Sequence, residues 1–167
     1  RSVEWDFIQD DTLTIPGHLM KTRNRHRVPL SRQCKKVLDM IKRDDPRLVF
    51  PGPVDRKSGG RAILSVNAYR ALYKRMHVDG FTTHGFRSTF KDWCMEAGAG
   101  EWEVSEAVLA HVAGNSVERA YARSDLFEKR RELMQEWADF AMQEVWPRKP
   151  RVKLGKHRTG SAQLPRG

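Results

Sequence analysis

The stretch DLFEKRRELMQEWADF, residues 125–140, contains the clearest helical pattern in the chain. Its apolar residues recur at spacings that place them on one face of an α-helix. They are Leu126, Leu133, Trp137 and Phe140. Asp125 followed by Glu128 makes a D-x-x-E pattern, which is typical of a helix start. The sequence therefore predicts a helix from Asp125 to about Glu144 that packs on its own domain.

Helical patterns also precede this stretch. Ser31 can cap a helix through about Arg43, and a second helix is predicted from Ser65 to about His77. Their predicted inner faces are Cys34, Val37, Leu38 and Ile41 in the first, and Tyr69, Leu72, Tyr73 and Met76 in the second. Thr82 or Thr83 can cap the next helix. This helix is expected from His84 to about Ala97, where Gly98 ends it. Two more helices are expected, from about Trp102 to Ala110 and from Ser116 to Ala122.

The first thirty residues follow a strand pattern instead. SVEWDFI (residues 2–8), LTIP (13–16) and RHRVPLS (25–31) alternate apolar and polar residues, and the third strand should end at Pro29. Lys21 falls near a strand-connecting turn, and residues 44–64 form a connection rich in Pro and Gly. We expect an α+β fold, mostly α, with a small amino-terminal antiparallel sheet followed by a helical bundle.

Positive charge is concentrated in two places. Residues 148–167 carry seven Lys or Arg and no acid, which leaves +3 of the net +10 for residues 1–147. Residues 21–36 also carry seven basic residues and no acid; the candidates for contact with a DNA backbone are Arg23, Arg25, Arg27, Lys35 and Lys36. Such clusters suit phosphate backbones. We expect a folded domain over 1–147 and a disordered basic tail over 148–167, which could equally serve only solubility.

The composition narrows the class of protein. The chain has 167 residues, 39% of them hydrophobic, and no apolar run approaches the ~18 residues of a membrane span. The opening RSVEWDF is no secretory signal. Cys34 and Cys94 are the two cysteines, and no metal-ligand spacing accompanies them. These features favour a reducing, cytoplasmic setting with two cysteines that act as small buried hydrophobes.

Residues suited to phosphate chemistry occur in a fixed order along the chain. Lys21 comes first, His84 and Arg87 follow in HGFR, His111 in LAHVAGN, and Tyr121 in ERAYAR. If a helix begins at HGFR, His84 and Arg87 lie on one face. Each residue alone has an ordinary explanation: Tyr121 in a core, Arg87 at the surface, His84 or His111 at a helix end. The order and spacing of the whole set make it specific.

Three segments carry a resemblance to a known family. They are MKTRNRHRVPLS (20–31), THGFRSTFKDW (83–93) and VLAHVAGNSVERAYARSDLFEKRRELMQEWADF (108–140). The chain resembles the catalytic domain of tyrosine recombinases over about residues 1–145, and is most similar to integrases of prophages and genomic islands. The resemblance implies the fold of DNA breaking-rejoining enzymes, DNA attachment sites as partners and assembly of the full-length protein into a tetramer on DNA. It also offers an alternative for residues 125–145 or the tail, which in related enzymes exchange with a neighbouring protomer instead of packing on their own domain.

The resemblance also implies roles for the five residues. Tyr121 would be the nucleophile that forms a 3′-phosphotyrosyl link, Arg87 and His111 would bind the phosphate, His84 would relay the tyrosine proton, and Lys21 would protonate the leaving oxygen. Fixed cations suit the charge of such a transition state, so neither a metal nor ATP is expected as a cofactor. Lys35 or Arg23 could replace Lys21 as the acid.

One departure from the family concerns a second arginine. In the family, this arginine lies on a helix before the opening sheet, whereas this chain begins at the predicted sheet, and Arg1 is a poor substitute. We therefore expect a fragment that is truncated at its amino terminus and inactive alone. The alternatives are a non-catalytic DNA-binding remnant of a prophage integrase and a topoisomerase that uses the same chemistry.

Overall fold

The computed structural model describes residues 2–41, 45–80, 82–111 and 124–143. Within these ranges the order of elements is β1 (Ile8–Gln9), β2 (Thr12–Ile15), β3 (His26–Pro29), α1 (Arg32–Met40), β4 (Pro51–Val54), β5 (Arg61–Ile63), α2 (Ala68–Arg75), α3 (Gly85–Glu96), α4 (Trp102–Val108) and α5 (Phe127–Ala141). The predicted α+β, mostly α class is confirmed. The predicted helix over 116–122 and the basic tail over 148–167 lie outside the described residues.

The opening sheet is a three-stranded antiparallel meander in the order β1–β2–β3. The prediction of a strand over residues 2–8 is wrong for most of its length, because Trp5–Phe7 form a 3₁₀ turn. Residues 3–5 pair with the segment around Leu48 instead: the Trp5 amide donates to the Arg47 carbonyl, and the Val49 amide to the Val3 carbonyl. The chain enters β1 only after this separate pairing ends.

A second sheet was missed from the sequence. Strands β4 and β5 form an antiparallel hairpin inside the predicted connection of residues 44–64. Pro51 and Pro53 lie in β4 and hide it, since proline cannot donate a ladder hydrogen bond. Gly52 permits the close approach of the strands, because a Cβ atom there would lie 2.8 Å from the Ala62 carbonyl oxygen.

The helix starts follow the local signals more closely than the helix ends. Ser31 Oγ accepts a hydrogen bond from the Cys34 amide, which confirms the predicted cap of α1. Thr82 Oγ1 accepts from the Gly85 amide before α3. Helix α1 ends at Met40 rather than Arg43, and α4 ends at Val108. Gly98, with φ +58°, follows α3 and allows the left-handed backbone that ends it.

The predicted inner stripe of α2 is wrong. Helix α2 starts at Ala68, not Ser65, and Tyr69, Leu72 and Met76 are exposed. The apolar spacing of this helix is real, but none of its residues is buried against the rest of the described structure. Val37 on α1 is exposed in the same way. Apolar periodicity predicts a helix, but it does not say whether a neighbour covers that helix.

The core lies between α3, α4 and α5. Its buried members are Phe90, Cys94, Ala99, Val104, Leu109 and Leu133. Trp93 and Trp137 flank this core with ring centroids 5.3 Å apart, and Phe140 stacks on Trp93 at 5.7 Å although it is 40% exposed. Helix α5 also packs on β3 and α1, so it docks on its own domain as predicted.

The two cysteines are free thiols in different surroundings. Cys94 is buried in the core, as predicted, whereas Cys34 is only half-buried on α1. Burial raises the pKa of both thiols, which keeps them protonated and unreactive. Across the part of the chain that the structure describes, no helix is long and apolar enough to cross a membrane.

Candidate active site

Arg87 and His111 meet at the junction of α3 and α4. Arg87 lies in the first turn of α3, and His111 follows α4. Arg87 Nη2 lies 2.8 Å from His111 Nε2 and donates a 2.6 Å hydrogen bond to the Leu109 carbonyl oxygen. The His111 side chain is 48% exposed, so the pair faces solvent. The structure therefore brings two of the five predicted residues into contact.

A carboxylate supports this pair from behind. Glu106 Oε2 lies 2.9 Å from His111 Nδ1, and Glu106 Oε1 lies 2.6 Å from Lys91 Nζ. The Glu106 side chain is only 14% exposed. The hydrogen bond from Lys91 and the contact with His111 lower the pKa of Glu106, so the carboxylate is ionised at neutral pH.

The local sequence explains how α3 and α4 present these groups. Arg87 and Lys91 are four residues apart on α3 and therefore share a face. Ala110 has φ +54°, which turns the chain out of α4 directly before His111. The His111 amide donates to the Glu106 carbonyl oxygen, which closes this turn and places the imidazole over its own helix end. The carboxylate and the imidazole are thus held together by backbone geometry as well as by their side chains.

His84 lies one turn away from this contact. It is exposed at the residue before α3, and its carbonyl oxygen accepts a hydrogen bond from the Arg87 amide. His84 and Arg87 thus start the same helix, as the sequence predicted. Phe86, which lies between them in the sequence, is 56% exposed.

Lys21 lies exposed in the loop between β2 and β3. This loop is compact: the Met20 amide donates to the Gly17 carbonyl oxygen, and the Arg23 amide to the Met20 carbonyl oxygen. A Cβ atom at Gly17 would lie 2.3 Å from the Arg23 carbonyl oxygen, so only glycine fits there. Among the described residues, neither Lys21 nor His84 makes a side-chain hydrogen bond to Arg87 or His111.

The basic cluster of residues 21–36 divides into two groups. Arg27 makes two hydrogen bonds to Asp125, of 2.9 and 2.8 Å, and Lys35 Nζ lies 2.6 Å from Asp11 Oδ1. Carboxylates in this chain therefore already engage two of the five predicted phosphate contacts. Arg23, Arg25 and Lys36 are exposed. The first two are the better candidates for a DNA backbone, since Lys36 makes a further contact of its own.

Tyr121 lies outside the described residues, but the chain four residues later is anchored firmly. Asp125 binds Arg27 of β3 and also lies 3.1 Å from the buried Arg130. Arg130 donates a 2.6 Å hydrogen bond to the Arg27 carbonyl oxygen, and the Arg27 guanidinium lies 4.1 Å from the Phe127 ring centre. We name the three charged residues Arg27, Asp125 and Arg130 the β3–α5 anchor.

The sequence patterns do not predict Lys91, Glu106 or the β3–α5 anchor as parts of the site. Asp125 was interpreted as part of a capping pattern with Glu128, but Glu128 pairs with Arg131 and α5 begins at Phe127. Glu106 lies five residues before His111, which is off its face in a regular helix, and the two meet only because the chain turns at Ala110. In the described residues no group of three or more His, Cys, Asp or Glu side chains could hold a metal ion.

Comparison with known proteins identifies several relatives. Prophage integrase IntZ of Escherichia coli (strain K12) is 35% identical over 139 residues, which cover 81% of this chain and 33% of that protein. The integrase of Shigella phage Sf6 is 34% identical over 154 residues, covering 87% and 38%. The integrase of Enterobacteria phage P4 is 34% identical over 127 residues, covering 72% and 28%.

This chain spans about a third of the length of the curated relatives that it matches. No family model matches it, and no solved structure matches it significantly. About a third of the aligned residues are nevertheless identical over most of this chain, and the relatives are named integrases of phages or prophages. The chain therefore belongs to the family of phage and prophage integrases.

Proposed function

We propose that this chain supplies the catalytic part of a tyrosine recombinase that cuts and rejoins DNA at attachment sites. The Tyr121 hydroxyl attacks a backbone phosphodiester, a bond forms between its oxygen and phosphorus, and the bond to the 5′-oxygen breaks. The products are a 3′-phosphotyrosyl link and a free 5′-hydroxyl. Covalent attack divides one difficult step into two reversible ones and keeps the phosphodiester energy, so ATP is not needed.

The contact between Arg87 and His111 is the observation that carries this proposal. A guanidinium is always charged and can bind two phosphate oxygens at once. The two groups are 2.8 Å apart, and the exposed imidazole gives a phosphate access to both. The transition state spreads charge over its non-bridging oxygens, and preorganised donors of this kind stabilise that charge.

Two further residues complete the proton transfers in this proposal. His84 accepts the proton of the attacking tyrosine, since imidazole titrates near neutral pH. Lys21 donates a proton to the leaving 5′-oxygen. Both side chains are exposed, Lys21 in the loop between β2 and β3 and His84 directly before α3. Side-chain cations thereby stabilise the charge that a metal ion would stabilise in other phosphoryl-transfer sites.

The same proposal extends to organisation and partners. Residues 1–147 form the catalytic domain, and residues 148–167 a basic tail that adds affinity for the DNA backbone. The full-length protein assembles into a tetramer on two DNA sites.

The test uses the full-length protein and a nicked suicide substrate that carries a candidate attachment site. A covalent protein–DNA adduct should form with the wild type and be absent with Tyr121→Phe. Tyr69→Phe, an exposed tyrosine on α2, is the matched control and should leave the adduct intact. An adduct that persists in Tyr121→Phe contradicts the proposal. Specific binding without any adduct would indicate the non-catalytic remnant instead.

A further inference from the structure

Four side chains form a closed ring between α3 and the end of α4. Arg87 contacts His111, His111 contacts Glu106, Glu106 contacts Lys91, and Lys91 lies one turn after Arg87 on the same helix. Lys91 Nζ also donates to Ser105 Oγ at 2.8 Å. The ring therefore begins and ends on one rigid element, and each carboxylate oxygen of Glu106 has its own donor.

The chemistry of the partners decides where the neutral imidazole carries its proton. A guanidinium has only donors, so His111 Nε2 must accept a hydrogen bond from Arg87. A carboxylate has only acceptors, so His111 Nδ1 must donate to Glu106. The two distances, 2.8 and 2.9 Å, are those of real hydrogen bonds. Both contacts require the same tautomer, with the proton on Nδ1.

We propose that Glu106 is a positioning residue that fixes the orientation and tautomer of His111, and that Lys91 fixes Glu106. The inference rests on the proposed function, because it explains how Nε2 comes to face the phosphate that Arg87 binds. When a phosphate replaces the Arg87 contact, Nε2 takes up a proton from solvent and donates to a phosphate oxygen. The carboxylate behind the ring stabilises the imidazolium that results.

Because Lys91 fixes which way a side-chain amide at position 106 would face, Glu106→Gln tests this arrangement. In Glu106→Gln, the side-chain oxygen must face the ammonium of Lys91, which is a donor. The amide NH₂ then faces His111 Nδ1, and two donors cannot hydrogen-bond each other. Either tautomer then places a donor against a donor, because a proton on Nδ1 opposes the amide and a proton on Nε2 opposes Arg87. The preference of His111 for the Nδ1 tautomer is therefore weakened. Replacing Lys91 by Met as well frees the amide to turn, so that its oxygen again accepts from Nδ1.

The primary measurement is the ¹H–¹⁵N NMR spectrum of the histidine rings in the 167-residue chain, in alkaline buffer where the ring is neutral. A His111→Asn variant assigns the His111 resonances among the six histidines. We expect the proton on Nδ1 in the wild type and in Lys91→Met, a mixture of the Nδ1 and Nε2 tautomers in Glu106→Gln, and the proton on Nδ1 again in Glu106→Gln/Lys91→Met. A wild-type proton on Nε2, or a Glu106→Gln spectrum like the wild type, overturns the proposal.

A second measurement relates the tautomer to the reaction. In the full-length protein, Glu106→Gln should slow formation of the Tyr121 adduct by about 10²-fold, the scale of losing one transition-state donor, and the double variant should recover part of that loss. Equal rates in the single and double variants would overturn the positioning role. The NMR result does not require cleavage. If the tautomers follow the expected pattern but no adduct forms, the proposed function is contradicted, whereas the positioning of His111 by Glu106 and Lys91 is not.

Discussion

Arg87 and His111 are 24 residues apart in the sequence, yet their side-chain nitrogens Nη2 and Nε2 lie 2.8 Å apart. The packing of α3 against α4 and the turn at Ala110 create this contact. Arg87 also donates to the Leu109 carbonyl oxygen, so the guanidinium is held by the backbone as well as by the imidazole. A donor fixed in this way needs little reorganisation when a phosphate arrives.

Arg87→Lys in the full-length protein should lower the single-turnover cleavage rate by about 10²–10³-fold. Lysine keeps the charge, but its ammonium cannot bind two oxygens in one plane as a guanidinium does. It also cannot bind a phosphate and keep the hydrogen bond to the Leu109 carbonyl oxygen in the same geometry. Arg70→Lys, on the exposed face of α2, is the matched control and should cleave at the wild-type rate. Equal rates in the two variants would remove Arg87 from the site.

Acid should weaken the fold through Glu106. Its pKa is lower in the folded chain than the ordinary value of 4.5, chiefly through the Lys91 hydrogen bond, with a further contribution from His111. This contribution to stability is present above pH 4.5 and is lost as the pH falls through the folded pKa. Urea unfolding of the wild type and Glu106→Gln should therefore differ more at pH 7 than at pH 3. The same difference at both pH values would refute this assignment.

The β3–α5 anchor should contribute strongly to stability. Arg130 is 2% exposed, donates to the Arg27 carbonyl oxygen and contacts Asp125, while its Nε atom has no hydrogen-bond partner within the described part of the chain. Arg130→Ala should lower the free energy of unfolding by about 3 kcal/mol, the lower end of the cost of breaking a buried pair, because Asp125 is 45% exposed. Arg130→Met should lose less, since it keeps the volume. Denaturant titration measures the free energy of unfolding of both variants. Lys129→Ala is the control, because it breaks the exposed ion pair with Glu101 and should change stability by less than about 1 kcal/mol.

Gly17→Ala should disturb the loop that carries Lys21. The new Cβ atom would lie 2.3 Å from the Arg23 carbonyl oxygen, which is backbone and cannot move without moving the loop. Cleavage by the full-length protein should fall, provided that Lys21 protonates the leaving oxygen. Gly60→Ala is the control, because its Cβ would meet only Ser58 Oγ at 3.8 Å. A wild-type rate in Gly17→Ala would argue against any role for this loop.

DNA affinity should depend steeply on salt, with each phosphate contact contributing about −0.9 to the slope of log K against log salt concentration. Arg23→Ala/Arg25→Ala should reduce this slope by about 2, because both side chains are exposed. Lys35→Met should change it less, since Asp11 holds the Lys35 ammonium at 2.6 Å. Fluorescence anisotropy on a DNA duplex at several salt concentrations measures all three proteins. A flat dependence for the wild type would contradict the basic-surface interpretation.

Local signals in the sequence were sufficient for several elements. Ser31 caps α1 as predicted because its hydroxyl satisfies an amide only three residues away. Gly98 ends α3, and Pro29 ends β3, for equally local reasons. The prediction failed where partners come from distant parts of the chain. Residues 3–5 pair with the segment near Leu48, and no pattern within either segment reveals that pairing.

The candidate site shows the same division. Its residue types and their order, from Lys21 through HGFR to His111 and Tyr121, were recognisable in the sequence. The roles of all five residues stay predictions, and Tyr121 itself lies outside the described residues. Lys91 and Glu106 were not recognised, because Lys and Glu are common on helix surfaces and become informative only when helix packing places them against an imidazole. Arg27 was interpreted as a DNA contact, whereas the tertiary structure pairs it with Asp125, 98 residues later.

By itself, the sequence determined the mostly helical fold class, most of the helix starts and the order of the candidate site residues, since short-range hydrogen bonds and side-chain chemistry are encoded locally. Only the tertiary structure decided which charged groups are engaged with each other and which face solvent. The reason is physical: whether a cation can bind a phosphate depends on the carboxylate that already neutralises it. For Arg27 and Lys35 that carboxylate comes from another element, and for Arg87 the partner is an imidazole that faces solvent beside it.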